Sequence, residues 1–147
     1  MPSPDNARQL VDCLQKIIEE VEAIDKKKAA TAAQLSTQEI RALSAVGRER
    51  CCVMSRIAKA ICLSLSSATG LIDRLVEKNL VKRDRSSQDR RVVEVELTDE
   101  GRQVHAVALQ SRLEFARDLL TGLNSQEQEA LLTLFGKISQ RIKPEPR

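Results

Sequence analysis

Aromatic side chains are almost missing from this sequence: it has no Trp, no Tyr, and only Phe115 and Phe135 in 147 residues. Proteins that hold RNA or single-stranded nucleic acid usually stack bases on aromatic rings, so a platform of that kind is excluded. Histidine is equally scarce. His105 stands alone, without a glycine-rich phosphate loop or a serine elbow, so no nucleophile–base pair is recognisable and an enzyme is not expected. The four cysteines, Cys13, Cys51, Cys52 and Cys62, contain no Cys-x-x-Cys pair, and neither a metal nor a cofactor is expected. Adjacent Cys51 and Cys52 would face opposite sides of a strand, and without an export signal all four thiols should be reduced. No apolar run approaches the roughly 18 residues of a membrane span. The opening Met1-Pro2-Ser3-Pro4-Asp5 lacks the basic-then-apolar pattern of a signal peptide, so a cytoplasmic location is expected, with no membrane partner.

Charge is abundant and unevenly placed. Net charge is only +3, yet the segment from Arg48 to Arg91 holds 11 Lys/Arg against 5 Asp/Glu. A basic excess gathered on one segment is the footprint of a polyanion binder, although a solvated basic face would look the same. Within that segment Asp89-Arg90-Arg91 falls where a short β-hairpin should turn. Leu80 to Arg85 precedes it, and Val93 to Leu97 follows with the apolar–acidic alternation of a half-buried strand. A basic hairpin tip projects into solvent and rarely serves packing. With a helix directly upstream it suits a duplex, the helix entering the major groove and the tip reaching the backbone or minor groove.

The remaining pattern is helical. Leu10, Cys13, Leu14, Ile17, Ile18, Val21 and Ile24 recur at three- and four-residue steps, which predicts an amphipathic helix ending near Lys26-Lys27-Lys28. After a small-residue connection, Ala29 to Leu35, Ser36 and Glu39 form a capping box for a helix from Thr37 to Val46, with Gly47 as its stop. Arg50 to Val53 reads as extended and Met54 to Ile61 as a brief helix. Cys62-Leu63-Ser64 turns into a helix running to Lys78, with Ala68, Leu71, Ile72 and Leu75 inward and Asn79 at its C-cap. Two short helices joined by a tight turn, followed by a two-stranded ribbon, make a winged helix-turn-helix over 36–98. Thr98 caps a further helix with Val104, Ala108, Phe115 and Leu119 on its inner side. Ser125 with Gln128 caps a last one carrying Leu131, Leu134, Phe135, Ile138 and Ile142, before Pro144 and Pro146 close the chain.

The fold class is therefore mainly α with a small β-wing, in a single domain over 1–147. Helices over 6–35 and 99–143 flank the winged region, with more apolar surface than a small lobe can cover. A second copy of the chain is the cheapest cover, intrachain packing into a six-helix monomer the alternative.

Three blocks, in order, carry a resemblance across nearly the whole chain, from about Leu10 to Ile142. They are Ser64-Leu65-Ser66-Ser67-Ala68-Thr69-Gly70-Leu71-Ile72-Asp73-Arg74-Leu75-Val76-Glu77-Lys78-Asn79-Leu80-Val81-Lys82-Arg83, then Asp89-Arg90-Arg91, then Leu97-Thr98-Asp99-Glu100-Gly101. The chain resembles the MarR-family transcriptional regulators. That resemblance implies a homodimer built from the first and last helices, through residues such as Leu10, Leu14, Ile17, Phe135, Ile138 and Ile142, set on a pseudopalindromic operator in double-stranded DNA. The helix from Ser64 corresponds to the recognition helix. Asp89 corresponds to the residue that braces the wing, and Arg91 to the one that reaches the minor groove. The chain departs from the family where many relatives carry Arg or another long polar residue and it has Gly70, and its wing lacks the glycine or proline often found there.

Chemically, the hydroxyls of Ser64, Ser66, Ser67 and Thr69 and the free N–H groups of the helix start suit phosphate oxygens and base edges. Arg91 and then Arg90 are the expected wing contacts, reading groove width more than base identity. Arg50, Arg56, Lys59, Arg74, Lys82, Arg83 and Arg85 are candidate backbone partners, with Asp73 and Arg74 placed to stabilise the fold or the backbone contact. The family typically answers to a small-molecule effector between dimer helices and lobe, here expected near Cys13, Ile17 and Leu43. Relatives that sense peroxide use a first-helix cysteine, which is Cys13 here, but they activate it with Tyr residues that this chain lacks; on an apolar stripe a cysteine is otherwise an inert hydrophobe. Two alternatives to a ligand-responsive DNA-binding repressor thus stay open: a thiol-based redox regulator, and a winged-helix module that binds protein instead of DNA.

Overall fold

In the computed structural model residues 1–29, 34–49 and 51–142 are described. They divide into two compact units, Met1–Arg112 and Leu113–Arg147. The first begins with helix α1, Pro4–Ile24, whose Ser3 Oγ accepts a hydrogen bond from the Asp5 N–H and whose Pro4 sits at the first position, where its missing N–H costs nothing. The α-helical bonding stops at Ile24, earlier than the lysine cluster suggested, and continues as a wider π-turn over Asp25–Ala29. Most of the expected small-residue connection, 30–33, lies outside the described residues, as do Arg50, Pro144 and Pro146.

Helix α2, Thr37–Gly47, starts at the expected capping box: Ser36 Oγ accepts from the Glu39 N–H at 3.2 Å, and the Glu39 carboxylate accepts from the Ser36 N–H at 2.8 Å. Gly47 is the last helical residue, but it takes no left-handed backbone. Space explains it instead, since a Cβ there would lie 2.6 Å from the His105 ring. Strand β1, Cys52–Val53, leads into α3, Met54–Ala60. Cys62 turns the chain at φ 56° into α4, Leu65–Glu77, and Asn79 ends the helix at the same φ. Strands β2, Val81–Arg85, and β3, Val93–Leu97, pair antiparallel from Val81↔Leu97 to Arg85↔Val93. β1 joins the other edge of β3 through Cys52↔Val95, so the sheet order is β1-β3-β2.

The alternation in β3 does what period two demands. Val95 and Leu97 enter the core, while Glu96 on the other face meets Lys82 across the ladder at 3.3 Å. Ile40, Leu43, Val46, Ile57, Leu71, Ile72 and Leu75 fill the space between sheet and helices and are fully buried. This is a winged helix-turn-helix lobe with a closed core.

Helix α5, Asp99–Thr121, is seated on that lobe by Thr98, whose hydroxyl donates to the Asn79 carbonyl at 2.6 Å and accepts from the Gly101 N–H at 3.0 Å. Gly101 is obligatory here: a Cβ would fall 1.8 Å from the Leu80 carbonyl oxygen. Val104 and Ala108 pack inward as expected. Farther along, Arg112 makes a two-pronged ion pair with buried Asp25, at 3.1 Å from Nε and 2.5 Å from Nη2. Leu119 was expected inside but is 46% exposed, because no α5 residue beyond Ser111 is buried.

The second unit holds the end of α5 and helix α6, Ser125–Arg141. Its capping box is Asn124 with Glu127, one residue ahead of the expected Ser125–Gln128 pair. Asn caps as well as Ser does, and Gln128 is engaged elsewhere, donating to the Leu120 and Leu123 carbonyls. α6 buries no residue at all. No helix among the described residues is long and apolar enough to cross a membrane.

Candidate nucleic-acid interface

The wing is a loop from Ser86 to Val92, closed at its base by a hydrogen bond from the Ser86 N–H to the Val92 carbonyl at 2.9 Å. Inside it Asp89 makes a compact brace. Its Oδ1 accepts from the Arg91 N–H at 2.9 Å, and its carbonyl accepts from the Val92 N–H at 2.9 Å. An Asx-type turn of this kind imitates a backbone turn and replaces the glycine or proline that the loop lacks. Arg90 and Arg91 are the turn's central residues and are exposed, and among the described residues they and Arg85 form no ion pair.

Beside the wing stands the start of α4. Ser64 Oγ accepts from the Ser67 N–H at 3.1 Å and donates to Ser67 Oγ at 3.0 Å, which leaves Ser66 as an exposed hydroxyl with no bond of its own among the described residues. Thr69 turns its hydroxyl back to the Leu65 carbonyl at 2.8 Å. Gly70 lies on the outward face of the helix, opposite Ala68, Leu71, Ile72 and Leu75, and a Cβ there would meet nothing within 4 Å. An open groove of about 410 Å³ runs between the starts of α3 and α4 and the wing, bordered by Val53, Met54, Leu65, Thr69, Arg83 and Arg91.

Four of the candidate cations are tied within the protein, Lys82 by its cross-strand pair with Glu96. Arg83 on β2 donates to the Thr69 carbonyl at 3.2 Å and pairs with Asp73 at 2.8 Å, so it struts the wing against α4. Arg56 pairs with Glu49 at 2.8 Å, and Arg74 approaches buried Glu39 at 3.4 Å. Lys59 is exposed on α3. The structural role expected of Asp73 and Arg74 is thus present, whereas the pairing of Arg56 and Arg83 carries no local signal, because Glu49 and Asp73 meet them only when the elements pack.

A model described as the MarR family matches residues 35–93, which spans α2 to the first residue of β3. The transcriptional regulator BldR from Sulfolobus solfataricus is 30% identical, superposes with a TM-score of 0.71, and covers 97% of this chain and 100% of its own. The chain belongs to the MarR family. It is accordingly a transcriptional regulator and not an enzyme. Among other MarR-like relatives, the HTH-type transcriptional repressor MdtR from Bacillus subtilis is 29% identical over 133 residues, covering 90% of this chain and 83% of that protein. Streptococcus pneumoniae FabT, solved in complex with DNA, shares the fold at a TM-score of 0.75 and 22% identity, over 93% and 99% of the two chains.

Within this MarR-family chain the residues suggested for self-association are uncovered. Leu10 and Leu14 on α1 are 50% and 38% exposed, Phe135, Ile138 and Ile142 similarly or more so, and Ile17 is half-buried. The expected effector-lining trio is not assembled as an open pocket, since Leu43 is sealed in the lobe core while Cys13 is exposed. Cys13 is thus no buried hydrophobe. The thiols beside the wing are poor nucleophiles: burial and then Glu94 push Cys51 up to about 11, and burial with Glu49 raises Cys52. His105 is a packing residue, pressed against Gly47, and its protonation is opposed first by burial and then by Arg112 and Arg48.

Proposed function

We propose that this MarR-family regulator acts as a homodimeric, ligand-responsive repressor that grips double-stranded DNA at a pseudopalindromic operator. In this reading 36–98 form the DNA-binding region, and 6–35 with 99–143 form the dimerisation helices of one cytoplasmic domain. The observation that carries it is the Asp89-braced turn, which holds the exposed Arg90 and Arg91 beside the hydroxyl-bearing start of α4. A cationic tip and a small-residue helix in one rigid lobe suit adjacent minor and major grooves, with Ser64, Ser66, Ser67 and Thr69 toward the major groove and Arg91 toward the minor. Arg85, Arg90 and Lys59 supply backbone contacts; Arg56, Arg74 and Arg83 contribute mainly by holding the lobe's shape. The DNA-bound relative and the repressor relative support this reading.

The test is a fluorescence titration on duplex DNA footprinted beside the protein's own gene. Affinity should fall steeply with added salt, as displaced counterions require. Arg91→Ala should weaken binding by about 1–3 kcal/mol, the scale of one good groove contact. An unchanged affinity rejects the role given to the wing.

A further inference from the structure

Glu39 belongs to α2, yet its carboxylate lies where three separate stretches of chain converge. Only 3% of the residue is exposed. Its Oε2 accepts from the Ser36 N–H at 2.8 Å and from Lys78 Nζ at 3.0 Å, and its Oε1 faces Arg74 Nε at 3.4 Å. Lys78 Nζ also donates to the carbonyl of Gln34 at 3.0 Å, where the backbone turns at φ 51°. One buried carboxylate therefore binds the cap of α2, the last turn of α4 and, through Lys78, the backbone at Gln34. An N3 capping glutamate needs none of the last two contacts to do its local work.

We propose that Glu39 is a positioning residue for duplex reading, setting the pitch of α4 against α2 through Arg74 and Lys78. The inference rests on the reading of α4 as the helix that enters the groove. Its physical basis is directionality. The inward stripe of Ala68, Leu71, Ile72 and Leu75 is apolar, and apolar contact attracts without fixing an angle; packed helices scatter by about 15–20° around their preferred crossings. Charge-assisted hydrogen bonds do fix an angle. α4 is about 20 Å long, so a tilt of about 5° at its clamped end moves Ser64 by about 2 Å, enough to lose a base-edge contact. A buried ion pair is a weak source of stability compared with apolar residues of similar size, so geometry is the better account of its presence. Burial alone would raise the Glu39 carboxyl, but the Ser36 amide and the Lys78 ammonium more than offset it and hold it below its ordinary range, ionised at neutral pH.

Two substitutions test this in the full-length protein: Glu39→Gln, which keeps shape and the Ser36 bond but removes the charge, and Lys78→Met, which keeps the stem. The probes are a duplex selected from a random-sequence pool by the wild-type protein and a scrambled duplex of equal length. Each substitution should lower affinity for the selected duplex about tenfold, the scale of one mismatched base pair. The double variant should lose no more than the weaker single one, as coupled partners require. With Glu39→Gln, affinity for the scrambled duplex should hold or rise, because the protein gains positive charge. An unchanged selected-to-scrambled ratio in Glu39→Gln overturns the proposal, and so does an equal loss on both duplexes in Lys78→Met, which would make that lysine a phosphate contact. Should the pool yield no preferred duplex, the reading of α4 fails, and the clamp is then judged by amide exchange in the free protein. Faster exchange in the last turn of α4 relative to Val95 in Glu39→Gln supports it; an unaltered ratio ends it.

Discussion

In the winged lobe Ile40, Leu43, Ile57 and Leu71 are each at most 1% exposed, whereas on α6 Leu132, Leu134 and Phe135 are between 46% and 62% exposed. Ala68, Leu71, Ile72 and Leu75 on α4 and Leu131, Leu134, Phe135 and Ile138 on α6 follow the same three- and four-residue spacing, so the pattern in itself does not separate a covered face from an exposed one. The lobe satisfies its pattern internally because a three-stranded sheet and three helices enclose it. Among the described residues α1 and α6 bury none, and their apolar stripes lie in solvent. Amphipathic periodicity reports that a face will be covered; only packing tells by what.

The contrast can be attacked from either side. The largest effect should come from Gly101→Ala, since the new methyl group would meet the Leu80 carbonyl at 1.8 Å and backbone cannot step aside as a flexible side chain can. A loss of about 3 kcal/mol or more in urea unfolding is expected. Wild-type stability would mean that the lobe and the start of α5 are far looser than described. Next, Phe135→Asp should weaken the proposed self-association by about 2 kcal/mol or more in sedimentation experiments, while leaving the lobe's circular dichroism intact. If association survives unchanged, the apolar face of α6 is ordinary surface. The smallest effect belongs to Gly70→Ala. Nothing lies within 4 Å of the new Cβ, so the free protein should gain about 0.5–1 kcal/mol in helix stability. Duplex affinity should fall at the same time if α4 approaches the groove closely at that point, and a simultaneous gain in affinity would show that it does not.

Much of the fold could be read from residue order. The Ser36–Glu39 box, the Ser64 and Thr98 caps, the left-handed Asn79 and the inward residues of α4 all follow from local rules, because their partners lie within one turn. The errors are of another kind. The expected cap Ser125 gives way to its neighbour Asn124, an equally good capping residue. Leu119 was placed inside because periodicity continues past the point where the neighbouring surface ends. Gly47 was read as a stop and Gly101 merely as part of a motif, when both are spaces that a neighbour fills, His105 in one case and the Leu80 backbone in the other. The wing's cationic tip was legible, since Arg90 and Arg91 sit at a hairpin turn. That Arg83 and Arg74 would be occupied by Asp73 and Glu39 was not, because those pairs form only across packed elements.

Asp25 decides how far the front of the polypeptide can be trimmed by a protease. Its partner Arg112 is 87 residues away in the chain and keeps only 28% of its side chain in water. Digestion that stops short of Asp25 spares the pair, whereas digestion beyond it leaves a mostly buried guanidinium without this counter-ion. The contact that ties the front of the chain to α5 is therefore made by one acidic residue, ahead of the first helix that the lobe encloses.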